Sequence, residues 1–222
     1  MRVWPMSVDE LIREQEELAQ ATPPSFAPSE DAKIGACFVC FARGKSGAGD
    51  AGDPGWSGAA VMPGEGAVVT GKAGAAYEPG LLALREGALL EAAVRKLAET
   101  PDVVLVNATG RDHPRRAGLA LHLGAVLELP TIGITHRLLV ADGEWPADEQ
   151  GATSPFHLGS ECVGYWLRTR GGTRPLAVHA AWRTDAEVAV ALVREILGTR
   201  RTPEPLREAR RLARTARAGV AL

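Results

Sequence analysis

The sequence predicts an α/β fold in a single domain spanning residues 1–222, and three observations carry that expectation. Apolar runs rich in strand formers (Ile34–Ala42, Thr131–Thr135) alternate with segments that repeat apolar residues at helical spacing. The stretch Asp102–Asn107 is continuously apolar inside its two polar ends, as a strand buried on both faces requires. At 222 residues, 45% hydrophobic and 23% charged, the chain is long enough to bury one full core.

Each element has a local reason. Ser7-Val8-Asp9-Glu10 is a capping box, in which a hydroxyl and a carboxylate three residues apart satisfy the open amides of a first helical turn. It predicts a helix to about Ala19, and the proline-rich stretch Thr22–Pro28 stops it, so residues 1–28 form an N-terminal helix and linker. Ile34–Ala42 is a strand, Gly44–Gly55 a glycine- and aspartate-rich turn, and Ser57–Met62 with Gly66–Lys72 completes an antiparallel meander. Gly80–Glu99 repeats Leu81, Leu84, Leu89, Ala92, Val94 and Leu97 at helical spacing and leads into the strand at 102–107. A helix at Arg115–Leu127, a strand at Thr131–Thr135, strands around Cys162–Arg168 and Leu176–Ala181, and helices at Thr184–Gly198 and Pro205–Ala218 follow. The last of these lies in a basic segment at 203–222.

Charge narrows the classes of partner. A net charge of −2 gives no global pull toward polyanions, so nucleic-acid contact requires a local basic face. Only the tail offers one, in Arg200, Arg201, Arg207, Arg210, Arg211, Arg214 and Arg217, interrupted by Glu204 and Glu208; a solvated amphipathic helix is the alternative. Cys37, Cys40 and Cys162 lack secretory spacing, the first residues lack a signal peptide's apolar core, and no apolar run reaches spanning length. A cytoplasmic protein with no membrane partner is expected.

Three local patterns carry little. Gly44-Lys45-Ser46 looks like the end of a phosphate-binding loop, but the glycine required five residues before Lys45 is replaced by Cys40. Cys37 and Cys40 have a redox spacing, yet on a strand residues three apart point to opposite faces, so two buried thiols are the simpler account. The five histidines show neither an HExxH pattern nor paired Cys/His spacing, and no metal ligands are assigned.

The informative stretches are Tyr77-Glu78-Pro79-Gly80-Leu81-Leu82-Ala83-Leu84-Arg85-Glu86, Val104-Leu105-Val106-Asn107-Ala108-Thr109-Gly110, His113-Pro114-Arg115-Arg116-Ala117-Gly118 and Leu129-Pro130-Thr131-Ile132-Gly133-Ile134. In order and spacing they resemble the endonuclease V family, and Lys33–Ala36 and Pro203-Glu204-Pro205 extend the resemblance over nearly the whole chain. The resemblance implies a ribonuclease-H-like mixed sheet, an antiparallel meander plus parallel strands flanked by helices, and magnesium-dependent cutting of a nucleic-acid strand near deaminated adenine. It also marks four site positions, at which the family has Asp, Glu, Asp and His; here they read Cys37, Glu86, Asn107 and Trp182. A lysine usual after Pro-Thr-Ile-Gly is His136.

Magnesium prefers oxygen ligands in octahedral geometry, with carboxylates offsetting its dehydration cost. A thiol at Cys37 is the wrong ligand and Asn107 is neutral, which leaves Glu86 as the one anionic member. Asp31 and Asp112 lie too far along the chain to substitute, and Asp185 or Glu187 would need a different turn after Trp182. The catalytic candidates are therefore Cys37, Glu86, Asn107, His136 and Trp182, with no cofactor expected although magnesium serves the family.

The resemblance also marks binding candidates. Tyr77, Pro79 and Gly80 occupy the place of the family's strand-separating wedge, where a ring can stack on a base; a helix-capping tyrosine is the alternative. His113 belongs to the same retained segment as Arg115 and Arg116, which follow Pro114 at an expected helix start, where they meet phosphate or else pair with Asp112 or Glu86. Ala108 and Thr109 add side-chain volume before Gly110 in the base pocket. The favoured function is a homologue that binds DNA, RNA or a partner without normal magnesium-dependent cleavage. A repurposed enzyme acting on a small molecule through Cys37 and Glu86, and a weak residual inosine-directed endonuclease, are the alternatives.

Overall fold

The computed structural model describes residues 2–42 and 48–219. The capping box forms as expected: Ser7 Oγ accepts from the Glu10 amide at 3.2 Å, and the Glu10 carboxylate accepts from the Met6 amide at 2.8 Å. These bonds start α1 (Val8–Gln20), which buries Leu11, Gln15 and Leu18. Strands β1 (Ile34–Phe41), β2 (Pro54–Met62) and β3 (Gly66–Lys72) make the meander. Then come α2 (Leu82–Arg95), β4 (Val103–Val106), α3 (Leu119–Leu127) and β5 (Thr131–Thr135). The chain closes with β6 (Thr153–Leu158), β7 (Glu161–Leu167), β8 (Leu176–Ala180), α4 (Ala186–Glu195) and α5 (Glu204–Gly219).

Eight strands form one mixed sheet in the order β3-β2-β1-β4-β5-β8-β7-β6. The centre, β1-β4-β5, is parallel, and antiparallel pairs flank it on both sides. On one face Cys37, Val104 and Val106 pack against α2 and α3, with α1 contributing Leu11 and Leu18. On the other face Ile34, Ala36, Val103 and Leu105 pack against α4 and α5. Burial on both faces explains why β4 and β5 read as unbroken apolar runs. The ribonuclease-H-like mixed sheet implied by the resemblance is the observed architecture.

The differences from expectation have local causes. Strand β6 has no counterpart in the sequence reading because Pro155 interrupts its pattern; it lies at the sheet edge, where a missing amide is tolerated. Helix α3 begins at Leu119 rather than Arg115, since Arg116 adopts a left-handed φ of 55° that no helical turn accepts. Strand β2 begins at Pro54 rather than Ser57, and Gly44, Lys45 and Ser46 of the expected turn lie outside the described residues, as do residues 220–222 of the basic tail. Cys37 and Cys40 sit in separate clusters on opposite faces of the sheet, as the strand geometry demands, and neither is in a disulfide.

Candidate functional site

Parallel strands β4 and β5 end side by side, and the residues that leave them frame a cavity of about 190 Å3. Asn107 and Thr109 come from the end of β4, Thr135 from the end of β5, Tyr77 and Gly80 from the loop before α2, and His113 from the loop before α3. This volume lies below the 300–1,000 Å3 typical of drug-sized sites and suits a ligand the size of one base. Gly80 has φ +81°, a conformation a side chain would strain. The turn aims its carbonyl at Arg115 Nη2 (3.0 Å), Gln15 Nε2 (3.3 Å) and His113 Nε2 (3.2 Å). At Gly110 a Cβ would lie 2.0 Å from the Ala180 carbonyl oxygen, so only glycine lets the wall of the cavity press onto β8.

The retained histidine is a neutral donor. His113 Nδ1 accepts from the Arg115 amide at 3.2 Å, which leaves Nε2 to carry the proton toward Gly80 O. Burial, aided by the adjacent Arg115 charge, lowers its pKa to about 4. Arg115 also donates from Nε to Gln15 Oε1 at 2.6 Å, and Arg116 pairs with Glu161. Neither arginine pairs with Asp112 or Glu86, and neither stands at a helix start; Arg115 braces the Gly80 turn and Arg116 meets β7. The tyrosine is not a cap either: the N-cap of α2 is Leu81, and Tyr77 stands 45% exposed at the cavity mouth.

The five catalytic candidates divide. Cys37 pairs in register with Val106, one residue before Asn107, but its side chain is wholly enclosed and burial, reinforced by the Glu86 charge, pushes the thiol pKa far up. Glu86 lies one turn beyond Leu82 on α2, and Leu82 lines the cavity. Its surroundings raise the carboxyl to about 7, against the opposing pull of Arg85. Asn107 is exposed, and His136, just past Thr135, has its pKa lowered by burial and then by Arg201 and Arg210. Trp182 does not join them. Its amide donates to Thr131 Oγ1 at 3.2 Å, at the first residue of β5, while the cavity adjoins the last. Four residues of strand separate these ends by about 13 Å, and the indole packs instead with the α1–α3 core. β8 runs antiparallel to β5, so the chain that leaves it emerges at the wrong end of the sheet.

The residue that does reach Asn107 is Arg210 of α5, whose Nη2 donates to Asn107 Oδ1 at 3.3 Å. Also unforeseen are Gln15 and the buried group formed by Asp112, His179 and Thr135. Asp112 accepts from the amides of Leu139, Val140 and Ala141, each at 2.8 Å, and thereby fixes the loop that places Leu139 on the cavity wall.

The sequence pattern of the family described as Endonuclease V matches residues 56–211, well over half of the chain. The chain belongs to the endonuclease V family. The Endonuclease V of Roseiflexus sp. (strain RS-1) is 41% identical over 137 residues, which span 62% of this chain and 62% of that one, less than two thirds of either. The Endonuclease V from Streptomyces avermitilis superposes with a TM-score of 0.84 at 29% identity, covering 96% of this chain and 94% of that chain. Endonuclease V of Ciona intestinalis, 21% identical, shares the fold with a TM-score of 0.76 over 94% of this chain and 96% of that chain; that protein is in complex with a 24mer DNA containing an inosine followed by a ribo-adenosine.

Of the four positions that the family resemblance marks, only Glu86 carries a carboxylate here. Among the described residues no group of three or more His, Cys, Asp or Glu side chains is placed to hold a metal ion. The nearest approach to a ligand set is an enclosed thiol, a carboxyl half-protonated near neutrality, and an amide oxygen already bonded to a guanidinium. A hard dication needs oxygen ligands and anionic charge, and a neighbouring guanidinium opposes it.

Proposed function

We propose that this endonuclease V family member binds DNA or RNA through the cavity at the ends of β4 and β5 and does not cut it by magnesium-assisted hydrolysis. The observation that carries the reading is the contact of Arg210 with Asn107, which sets a cation where the resemblance puts a metal ligand. The cavity is of base size, and Tyr77 offers an exposed ring at its mouth for stacking at about 1–3 kcal/mol per base. Relatives in the family are named as nucleases, and the Ciona protein of the same fold holds inosine-containing DNA, which supports a nucleic-acid ligand here. Repurposed thiol chemistry has no comparable support, because an activated thiolate needs a lowered pKa and Cys37 has a raised one. Three cysteines outside any disulfide fit a reducing compartment.

The test is a paired binding and cleavage assay on inosine-containing DNA and RNA, with magnesium or manganese and with Glu86→Ala alongside. Retention of the strand without cleavage is the expected result. Metal-dependent cleavage by the wild type that Glu86→Ala abolishes would overturn it.

A further inference from the structure

An open cleft of about 580 Å3 runs along α5, lined by Arg200, Arg201, Arg207, Arg210, Arg211 and Arg214, and Arg210 links it to Asn107. Two of these are neutralised on their own helix, Arg207 by Glu204 and Arg211 by Glu208. Arg201, Arg210 and Arg214 have no carboxylate within ion-pair reach among the described residues. Arg201 donates to the carbonyls of Arg174 (2.7 Å) and Pro175 (3.2 Å), while the guanidinium groups of Arg210 and Arg214 lie 5.0 and 5.7 Å from the centroid of the Phe38 ring. Arg210 Nε is buried without a partner. Like charges gathered in this way repel one another, and an anion bound between them would offset the repulsion.

We propose that Arg210 is the resident cation of the site: with Arg201 and Arg214 it binds a phosphodiester group directly, in the place where a divalent metal would otherwise face the strand. The deepening rests on the nucleic-acid reading above. A guanidinium presents a planar fork of donors that matches two phosphate oxygens. The site adjoins the base-sized cavity through Asn107, which lines the cavity on one side and holds Arg210 on the other. A nucleotide whose base enters the cavity therefore brings its phosphate to the arginines. Desolvation and the neighbouring Arg214 charge already lower the pKa of Arg210, as expected for a cation held ready beside others.

The experiment titrates a fluorescein-labelled, inosine-containing single strand by fluorescence anisotropy in EDTA, across a salt series. It uses the wild type, Arg210→Ala, Arg210→Lys and, as an outside control, Arg13→Ala on the exposed side of α1. A second arm measures stabilisation by sodium tripolyphosphate in thermal unfolding. Binding is expected to survive EDTA, to weaken at least tenfold in Arg210→Ala with a salt slope lower by about 0.7–1, to recover in part with Arg210→Lys, and to be unchanged in Arg13→Ala. Tripolyphosphate should stabilise the wild type and not Arg210→Ala. If Arg210→Ala binds the strand with unchanged affinity and slope, or if EDTA abolishes binding, the arginine site falls while the nucleic-acid reading stands. If tripolyphosphate discriminates the variants but no strand is retained, the site stands and the nucleic-acid reading falls. Failure of both ligands to bind overturns both.

Discussion

Asp112 and His179 face each other at 3.7 Å with both side chains fully enclosed, yet no proton joins them. Burial keeps the imidazole neutral, its pKa lowered to about 4, with the Asp112 charge only partly opposing. The Thr135 hydroxyl donates to the Arg137 carbonyl at 2.7 Å, so it accepts from His179 Nε2, also at 2.7 Å. The proton on Nε2 leaves Nδ1 bare toward Asp112. An Asp–His–Thr series that resembles a nucleophile relay therefore runs the wrong way: the histidine donates to the hydroxyl and does not take its proton.

The role of Asp112 is structural, and its removal tests this. Asp112→Ala takes away the buried carboxylate that three loop amides share, and a hydrogen bond to a charged group contributes about 1.5–3 kcal/mol, so a loss of about 3 kcal/mol or more is expected in urea unfolding. Asp112→Asn keeps an acceptor and should lose less. A cost below about 1 kcal/mol for Asp112→Ala would show that water satisfies those amides.

Glu86 makes stability depend on pH. Its folded pKa of about 7 stands above the reference of 4.5, so the folded state holds the proton more tightly. The resulting stabilisation is complete below about 4.5 and is lost as pH rises through about 7. The size is on the order of 1–3 kcal/mol. Urea midpoints for the wild type should fall between pH 5 and pH 8, and Glu86→Gln should flatten that fall. Parallel profiles for the two proteins would place the cause elsewhere.

Much of the frame was written locally. The capping box at Ser7, the buried runs of β1, β4 and β5, and the spacing of α2 each report on neighbours a few residues away. The site was legible only in part. Tyr77, Gly80, Asn107, Thr109 and His113 do meet around one cavity, because their motif stretches abut in space. Arg115 and Arg116 followed a proline that reads as a helix start, and no local pattern foretells the left-handed turn at Arg116. Trp182 lies two residues beyond β8, at the far end of the sheet, whereas the contact between Asn107 and Arg210 joins residues 103 apart. One signal was at hand: Arg210 follows the Pro203-Glu204-Pro205 segment, itself part of the resemblance, on the same helix face as Arg207 and Arg214.

Thiol reactivity separates an inert Cys37 from a nucleophilic one. With Cys37 and Cys40 buried on opposite faces and Cys162 half-buried, native protein treated with iodoacetamide near pH 8 should label first at Cys162. Cys37 should react about tenfold more slowly or less, and urea should expose all three. Peptide mass spectrometry reads the order directly, and rapid native labelling at Cys37 would revive the thiol-enzyme reading.

The hardest demand on the arginine proposal is a reconstruction. Cys37→Asp with Asn107→Asp returns the two carboxylates that the family resemblance calls for, but it sets one of them in an enclosed position beside Glu86, where like charges and desolvation cost several kcal/mol. The other lies where Arg210 already donates, and a guanidinium there competes with a metal for the same oxygen. Magnesium should therefore leave the melting temperature of the double variant unchanged. Adding Arg210→Ala removes the competing cation, and magnesium at a hundred times its dissociation constant should then contribute about 2.7 kcal/mol, or roughly 5–10 °C for a chain of this size. An equal magnesium response in the double and triple variants would show that Arg210 is no obstacle to the metal, because a resident cation and a bound dication cannot share one carboxylate without loss.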